Sequence, residues 1–172
     1  VKLEKEYPQF FDSESPSHRV GGGLSNKFDS DEHIYPMYSL DNTYSYDELD
    51  SWFKRIVKVL QISDFEFCCE LKYDGASVNL LYEKGKLIRG LTRGDGTQGD
   101  DITVNLRTIN SIPLELTTKS FPDKFEIRGE IIIPTDSFKS LNKKRESIGE
   151  SLFMNPRNTA SGSLKMLDSK DV

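Results

Sequence analysis

A chain of 172 residues, 35% of them apolar, is long enough for one ordinary domain with a core of its own. Its 23 Lys and Arg against 28 Asp and Glu leave a formal charge of -5, which excludes a chain that binds nucleic acid with its whole surface, because such binding depends on neutralising phosphates. No long apolar run, secretory h-region or transit-like segment occurs, so the sequence proposes neither a membrane span nor export.

Taken in order, Val1 to Phe11 carries Leu3, Tyr7 and Phe10 at helical spacing and reads as the end of a helix. Asp12 to Glu32 is rich in Ser, Gly and Asp without periodicity and reads as a linker along a surface; its Gly21-Gly22-Gly23 is too plain for a phosphate loop. Ser45 and Glu48 form a capping box, after which Leu49, Trp52, Phe53, Ile56, Val57 and Leu60 define one face of an amphipathic helix whose aromatic stripe is core packing. The period then changes to two. Phe65, Phe67, Cys69 and Leu71 alternate with Glu66, Cys68 and Glu70, which predicts a strand. The adjacent cysteines suit neither a disulfide framework nor a zinc site and read as buried, reduced thiols.

Two further strands, Ala76 to Glu83 and Lys86 to Arg93, are joined by Lys84-Gly85 and predict an antiparallel hairpin. A short helix near Asp101 follows from Ile102, Leu106 and Ile109, and another strand spans Phe125 to Ile133. In that strand Glu126, Arg128 and Glu130 oppose Phe125, Ile127, Ile131 and Ile133, as in a solvated sheet or in a nucleotide and metal cleft. A last helix is expected after Pro134 with Phe138, Leu141 and Ile148 inward; the cations Lys143 to Arg145 read as its solvated face, and its Ser140-x-x-Lys143 pattern as chance. No repeat is present, and the whole is an α+β fold with antiparallel pairing.

The chemistry starts at Glu70-Leu71-Lys72-Tyr73-Asp74-Gly75. In strand geometry Glu70, Lys72 and Asp74 project together, and Gly75 permits a tight turn and close approach of a ligand to the main chain. Alone, a K-x-D-G pattern describes an exposed hairpin as well as a nucleophile. Thr92-Arg93-Gly94-Asp95-Gly96 reads as an Asp-Gly turn, with Arg93 able to offer a planar fork of donors to a phosphate or to stack on a base.

Together with Ser15 to Gly21, Tyr38-Ser39-Leu40-Asp41-Asn42, Ile127-Arg128-Gly129-Glu130, Asn155-Pro156-Arg157-Asn158 and Ser161-Gly162-Ser163-Leu164-Lys165, these segments resemble the bacterial NAD-dependent DNA ligases over nearly the whole chain. The resemblance implies an antiparallel-sheet covalent nucleotidyltransferase fold, incomplete on its C-terminal side. It implies an adenylation domain in which Lys72 takes AMP from NAD for transfer to nicked duplex DNA in replication and repair, with Mg2+ or Mn2+ assisting. It assigns adenine contact to Glu70, the nucleotide pocket to Ser39 and Leu40, ribose-phosphate contact to Arg93 and Glu130, and the shape of the nucleophile loop to Asp74 and Gly75. Arg157 becomes a DNA or phosphate candidate. So does Lys165, although it stands where the family usually has arginine. No metal ligand can be named.

The same resemblance implies residues 1–11 as the end of a helical subdomain that binds nicotinamide mononucleotide, 12–32 as a linker and 33–172 as the first part of the adenylation domain. Zinc belongs to a four-cysteine module of the family outside this chain. The expectation is a cytoplasmic, bacterial, monomeric parent protein and a fragment that does not ligate by itself. Two other readings stand beside it: an ATP-dependent ligase or capping-type nucleotidyltransferase sharing the lysine chemistry, and an inert nucleotide-binding fragment.

Overall fold

Period-two alternation from Ala76 onward produces the central element, a three-stranded antiparallel sheet. The computed structural model describes residues 6–7, 9, 28–62, 64–118, 120–169 and 172. The expected helix at 1–11 and the glycine run at 21–23 lie outside these residues, apart from three isolated positions in the former. In chain order the elements are β1 (Ser30–Glu32), α1 (Tyr46–Leu60), β2 (Ala76–Glu83), β3 (Lys86–Thr92), β4 (Gln98–Asp100), α2 (Thr103–Leu106), β5 (Lys124–Ile131), α3 (Thr135–Ser147) and α4 (Pro156–Leu164). Among the described residues no helix is long and apolar enough to cross a membrane. The chain divides into two compact units, one of Val1–Met37 with Tyr73–Val172 and one of Tyr38–Lys72.

The larger unit holds the sheet, in the order β3-β2-β5, and a two-stranded ribbon of β1 and β4. The hairpin forms as its sequence predicts. Lys84 (φ 49°) and Gly85 (φ 79°) both take left-handed conformations, the two-residue turn whose twist matches that of the flanking strands. Val78 and Tyr82 on one face of β2 meet Leu87, Ile102, Leu106, Ile112, Leu114 and Leu164 in the core. Leu87 and Leu106 are completely buried, so truncating either to alanine costs about 2–5 kcal/mol. Burial also pushes the Tyr82 phenol above its ordinary pKa, and its hydroxyl donates to Pro113 O at 2.7 Å. The helix expected near Asp101 is one turn long; Asp101 Oδ1 accepts from Thr103 N at 2.9 Å, and Ile102 and Leu106 point inward as predicted.

The last three residues of the segment read as a linker form β1, paired with β4 from Ser30↔Asp100 to Glu32↔Gln98. β5 ends at Ile131, and Ile127 on its apolar face remains 51% exposed. Ile148 lies one residue past α3 and is exposed rather than inward, while Phe138 and Leu141 are half-buried as expected. Arg145 is no free solvated cation: it pairs with Glu150 at 2.8 Å, donates to Ser151 O at 2.6 Å and lies over the Phe153 ring. α4 has no counterpart in the sequence reading; Asn155 caps it by accepting from Asn158 N at 2.7 Å, and Pro156 occupies its first turn.

The smaller unit is built on α1. The Ser45 side chain accepts from Glu48 N at 3.2 Å, and Glu48 reaches back to the N–H of Tyr44 at 2.7 Å, one residue earlier than a capping box requires. Trp52 and Phe53 pack on Phe65 and Phe67 with ring centroids 5.1–6.0 Å apart across the cluster, so the aromatic stripe is packing. Leu49 and Leu60, at its margins, are exposed. The strand predicted at 65–71 does not form, and residues 64–74 carry neither helix nor strand. Alternation orders the side chains, with Phe65 and Phe67 on the helix, but a strand also needs a neighbouring backbone to pair with, and this segment pairs with none among the described residues. Cys68 and Cys69 are free and exposed rather than buried.

Candidate functional site

Antiparallel register brings together residues far apart in sequence. Ser77 on β2 stands opposite Glu130 on β5, and Val78 opposite Thr92 on β3, so the next position on that side is Arg93, whose N–H donates to Ser77 O at 3.2 Å. Arg93, Ser77 and Glu130 therefore form one row across three strands. Glu130 is held by two donors: Gly75 N–H reaches Oε1 at 3.2 Å, and the Ser77 hydroxyl reaches Oε2 at 2.7 Å. Glu126 and Arg128, the other two charges of that strand, are engaged elsewhere; Glu126 accepts from Ile34 N at 3.1 Å, and Arg128 donates to Tyr35 O at 2.6 Å. The three alternating charges thus split into two that fasten residues 34–35 to the sheet and one that faces Gly75.

The loop after Thr92 is shaped by its own side chains. Gly94 (φ 56°) and Gly96 (φ 98°) are left-handed, and a Cβ on Gly94 would fall 1.8 Å from Gln98 O. Asp95 accepts from Thr97 N, Thr97 Oγ1 and Gln98 N at 2.7–3.0 Å, and these bonds hold its carboxyl down at about 2. Buried His33 braces the loop from beneath. Its Nε2 donates to Arg93 O, and its Nδ1 accepts from the Asn79 amide, each at 3.1 Å.

Beside the row lies a cleft of about 300 Å3, lined by Gly75, Ala76, Ser77, Thr92, Arg93 and Gly94 on the sheet side and by Arg157, Asn158, Ser161, Leu164 and Lys165 from α4 and its end. Three cations, Arg93, Arg157 and Lys165, converge on it; Arg157 reaches Asp74 at 3.1 Å, and Lys165 reaches Asp100 at 2.6 Å. Positive charge over a glycine-containing wall suits a phosphate-bearing ligand. Glu130 adjoins the cleft through Gly75 and Ser77 without lining it. No group of three or more His, Cys, Asp or Glu side chains gathers among the described residues, so they offer no all-protein metal cage.

Of the residues singled out by sequence, Asp74, Gly75, Arg93, Glu130, Arg157 and Lys165 are in the larger unit and meet around this cleft. Ser39, Leu40, Glu70 and Lys72 are in the smaller one. There Leu40 is exposed, and the Glu70 carboxylate accepts from the Cys68 thiol at 3.6 Å. Lys72 ends that unit and precedes β2 by four residues, so the lysine leads into a strand instead of closing one. Gly75 is also needed for a different reason than a turn: its Cβ would lie 2.2 Å from Ile131 O, so β5 backbone occupies the space a side chain would take. Sequence reasoning gave no role to Ser77, His33, Asn158 or Ser161; Asn158 and Ser161, inside quoted motifs, carried a signal, and Ser77 and His33 did not.

A family model for the NAD-dependent DNA ligase adenylation domain matches residues 25–172. The chain is 52% identical over 170 residues to a DNA ligase of Flavobacterium psychrophilum, covering 99% of this chain and 25% of that protein. A DNA ligase of Phocaeicola vulgatus is 54% identical over 170 residues with the same coverage, and one of Bacteroides fragilis 52% identical over 170. The chain spans about a quarter of the length of the curated relatives it matches. A match running from before β1 to the final residue takes in every strand and helix around the cleft, and the chain belongs to the NAD-dependent DNA ligase adenylation domain family.

Proposed function

We propose that the larger unit binds the adenosine monophosphate portion of NAD and that Lys72 accepts it covalently, as one step of nick sealing by the longer protein. The observation that carries this reading is the meeting of Arg93, Arg157 and Lys165 around a cleft of about 300 Å3, beside a carboxylate held by two donors, in a chain of this family. That volume is at the small end of ligand pockets and suits a mononucleotide.

In this scheme the Lys72 amine, having lost its proton to solvent, forms an N–P bond to the α-phosphorus while the bond to nicotinamide mononucleotide breaks. Arg93, Arg157 and Lys165 draw the phosphates into the cleft, and Glu130 takes a sugar hydroxyl. Glu70, Ser39 and Leu40 contribute the adenine side, and Asp74 and Gly75 set the backbone between nucleophile and sheet. Lys165 acts as a compact point charge where arginine would offer a fork. Mg2+ or Mn2+, if held through the phosphates and its own waters, would supply charge neutralisation on the leaving group. The acceptor of AMP is the 5′-phosphate of nicked duplex DNA, whose neighbouring 3′-hydroxyl then displaces AMP.

Intact-protein mass spectrometry tests the scheme. A protein of the relatives' full length, mixed with NAD and magnesium, should gain one AMP mass that Lys72→Ala abolishes. No Lys72-dependent adduct in the longer protein sinks the proposal, and an adduct formed from ATP but not NAD transfers it to the ATP-dependent branch.

A further inference from the structure

Ser77 belongs to no motif recognisable in the sequence, yet it occupies the middle of the row. Its hydroxyl has one proton, given to Glu130 Oε2 at 2.7 Å, while Gly75 N–H is given to Oε1 at 3.2 Å. One donor on each oxygen fixes the plane of the carboxylate and leaves a lone pair on each for another partner. Ser77 itself lines the cleft, and Glu130 adjoins it through its bonds from Ser77 and Gly75. With its proton committed, the Ser77 oxygen can only accept. The row is thus divided chemically: donors at the Arg93 end, acceptors at the Ser77 and Glu130 end. Phosphate oxygens match the first. The second repels them and matches a group that donates, such as a sugar hydroxyl.

We propose that Ser77 is a positioning and specificity-determining residue, which orients Glu130 and forms with it an acceptor pair for the ribose hydroxyls of the nucleotide. This rests on the nucleotide reading of the cleft. Without the Ser77 hydroxyl the carboxylate keeps only its Gly75 donor and can turn away from the cleft.

The test titrates the 172-residue chain and its Ser77→Ala and Ser77→Thr variants with AMP and with 2′,3′-dideoxyadenosine monophosphate, followed by amide NMR. Exchange of the Gly75 amide is measured in the nucleotide-free chains. Ser77→Ala should weaken AMP binding by roughly tenfold, the loss of one charge-assisted hydrogen bond. It should change binding of the dideoxy analogue by less than about twofold, speed Gly75 exchange, and be rescued by Ser77→Thr. Equal losses for the two nucleotides would assign Ser77 to the fold alone and overturn the proposal, as would no loss for either. If the unsubstituted chain binds neither nucleotide, the nucleotide reading falls and the ribose assignment with it. Nucleotide binding that is blind to Ser77 overturns only the latter.

Discussion

Arg157 Nη1 lies 3.1 Å from Asp74 Oδ1, joining the first turn of α4 to the loop that leads into β2. Both side chains are largely exposed, 62% and 77%, so the pair contributes at most about 1 kcal/mol to stability. Its position at the cleft gives it a different importance. Arg157→Ala should leave the denaturation midpoint nearly unchanged while weakening AMP binding several-fold. A large fall in stability with binding intact would show the pair to be a structural clasp instead.

Gly75 and Gly129 make a matched comparison. A Cβ on Gly75 would collide with Ile131 O at 2.2 Å, whereas nothing among the described residues lies within 4 Å of one on Gly129. Gly75→Ala should therefore destabilise the chain by about 3 kcal/mol through strain between β2 and β5. Gly129→Ala should change stability by less than about 0.5 kcal/mol. Urea titration of the two variants decides the matter; equal effects would mean that the close approach at Gly75 is not rigid.

The carboxyl of Asp95 titrates near 2, lowered by bonds from Gln98 N and from the Thr97 hydroxyl and amide. A folded pKa below the unfolded value of about 3.9 means that its contribution is complete above that value and is lost as pH falls from about 4 through about 2. Carboxyl carbon shifts should give a midpoint near 2, and amide exchange at Thr97 and Gln98 should rise over the same interval. A midpoint near 4 would mean that the loop is open in solution.

His33 connects the start of the ribbon to the loop carrying Arg93, and it is buried with both ring nitrogens engaged. Removing it strands the Asn79 amide, whose Oδ1 already has no hydrogen-bond partner among the described residues. His33→Ala should cost about 1–3 kcal/mol. It should also broaden amide resonances from Arg93 to Thr97. Sharp loop resonances in a destabilised variant would separate the brace from the loop.

What could be read from the sequence follows from how each element is stabilised. α1 was legible because an apolar face at 3.6 spacing and a Ser45 cap point to one answer, and the hairpin because Lys84-Gly85 is a turn between two apolar runs. β1 and β4 are held by backbone bonds between polar residues, Ser-Asp-Glu and Gln-Gly-Asp, which leave no apolar pattern. α4 buries only Thr159, Ala160 and Leu164, too few for a clear stripe, although Asn155-Pro156 was a readable start. The run at 65–71 erred in the other direction: real alternation, no pairing partner.

The candidate site divides in the same way. Lys72, Arg93, Glu130 and Arg157 sit in recognisable motifs. Ser77 does not, because a serine in a strand acquires meaning only from the register that sets it against Glu130, 53 residues away. His33 owes its place to Asn79 in the same fashion, 46 residues on.

The row from Arg93 through Ser77 to Glu130 has a consequence for folding. No hairpin alone contains it, since β5 must return across the connection from β3 before the third member arrives. Such pairings of high sequence separation form slowly, after the loop-closure entropy has been overcome. A ligand that requires all three residues recognises the native chain and not its partly paired precursors, and so stabilises it by mass action. Saturating AMP should raise the melting temperature and slow unfolding, making the nucleotide a reporter of whether the sheet has closed.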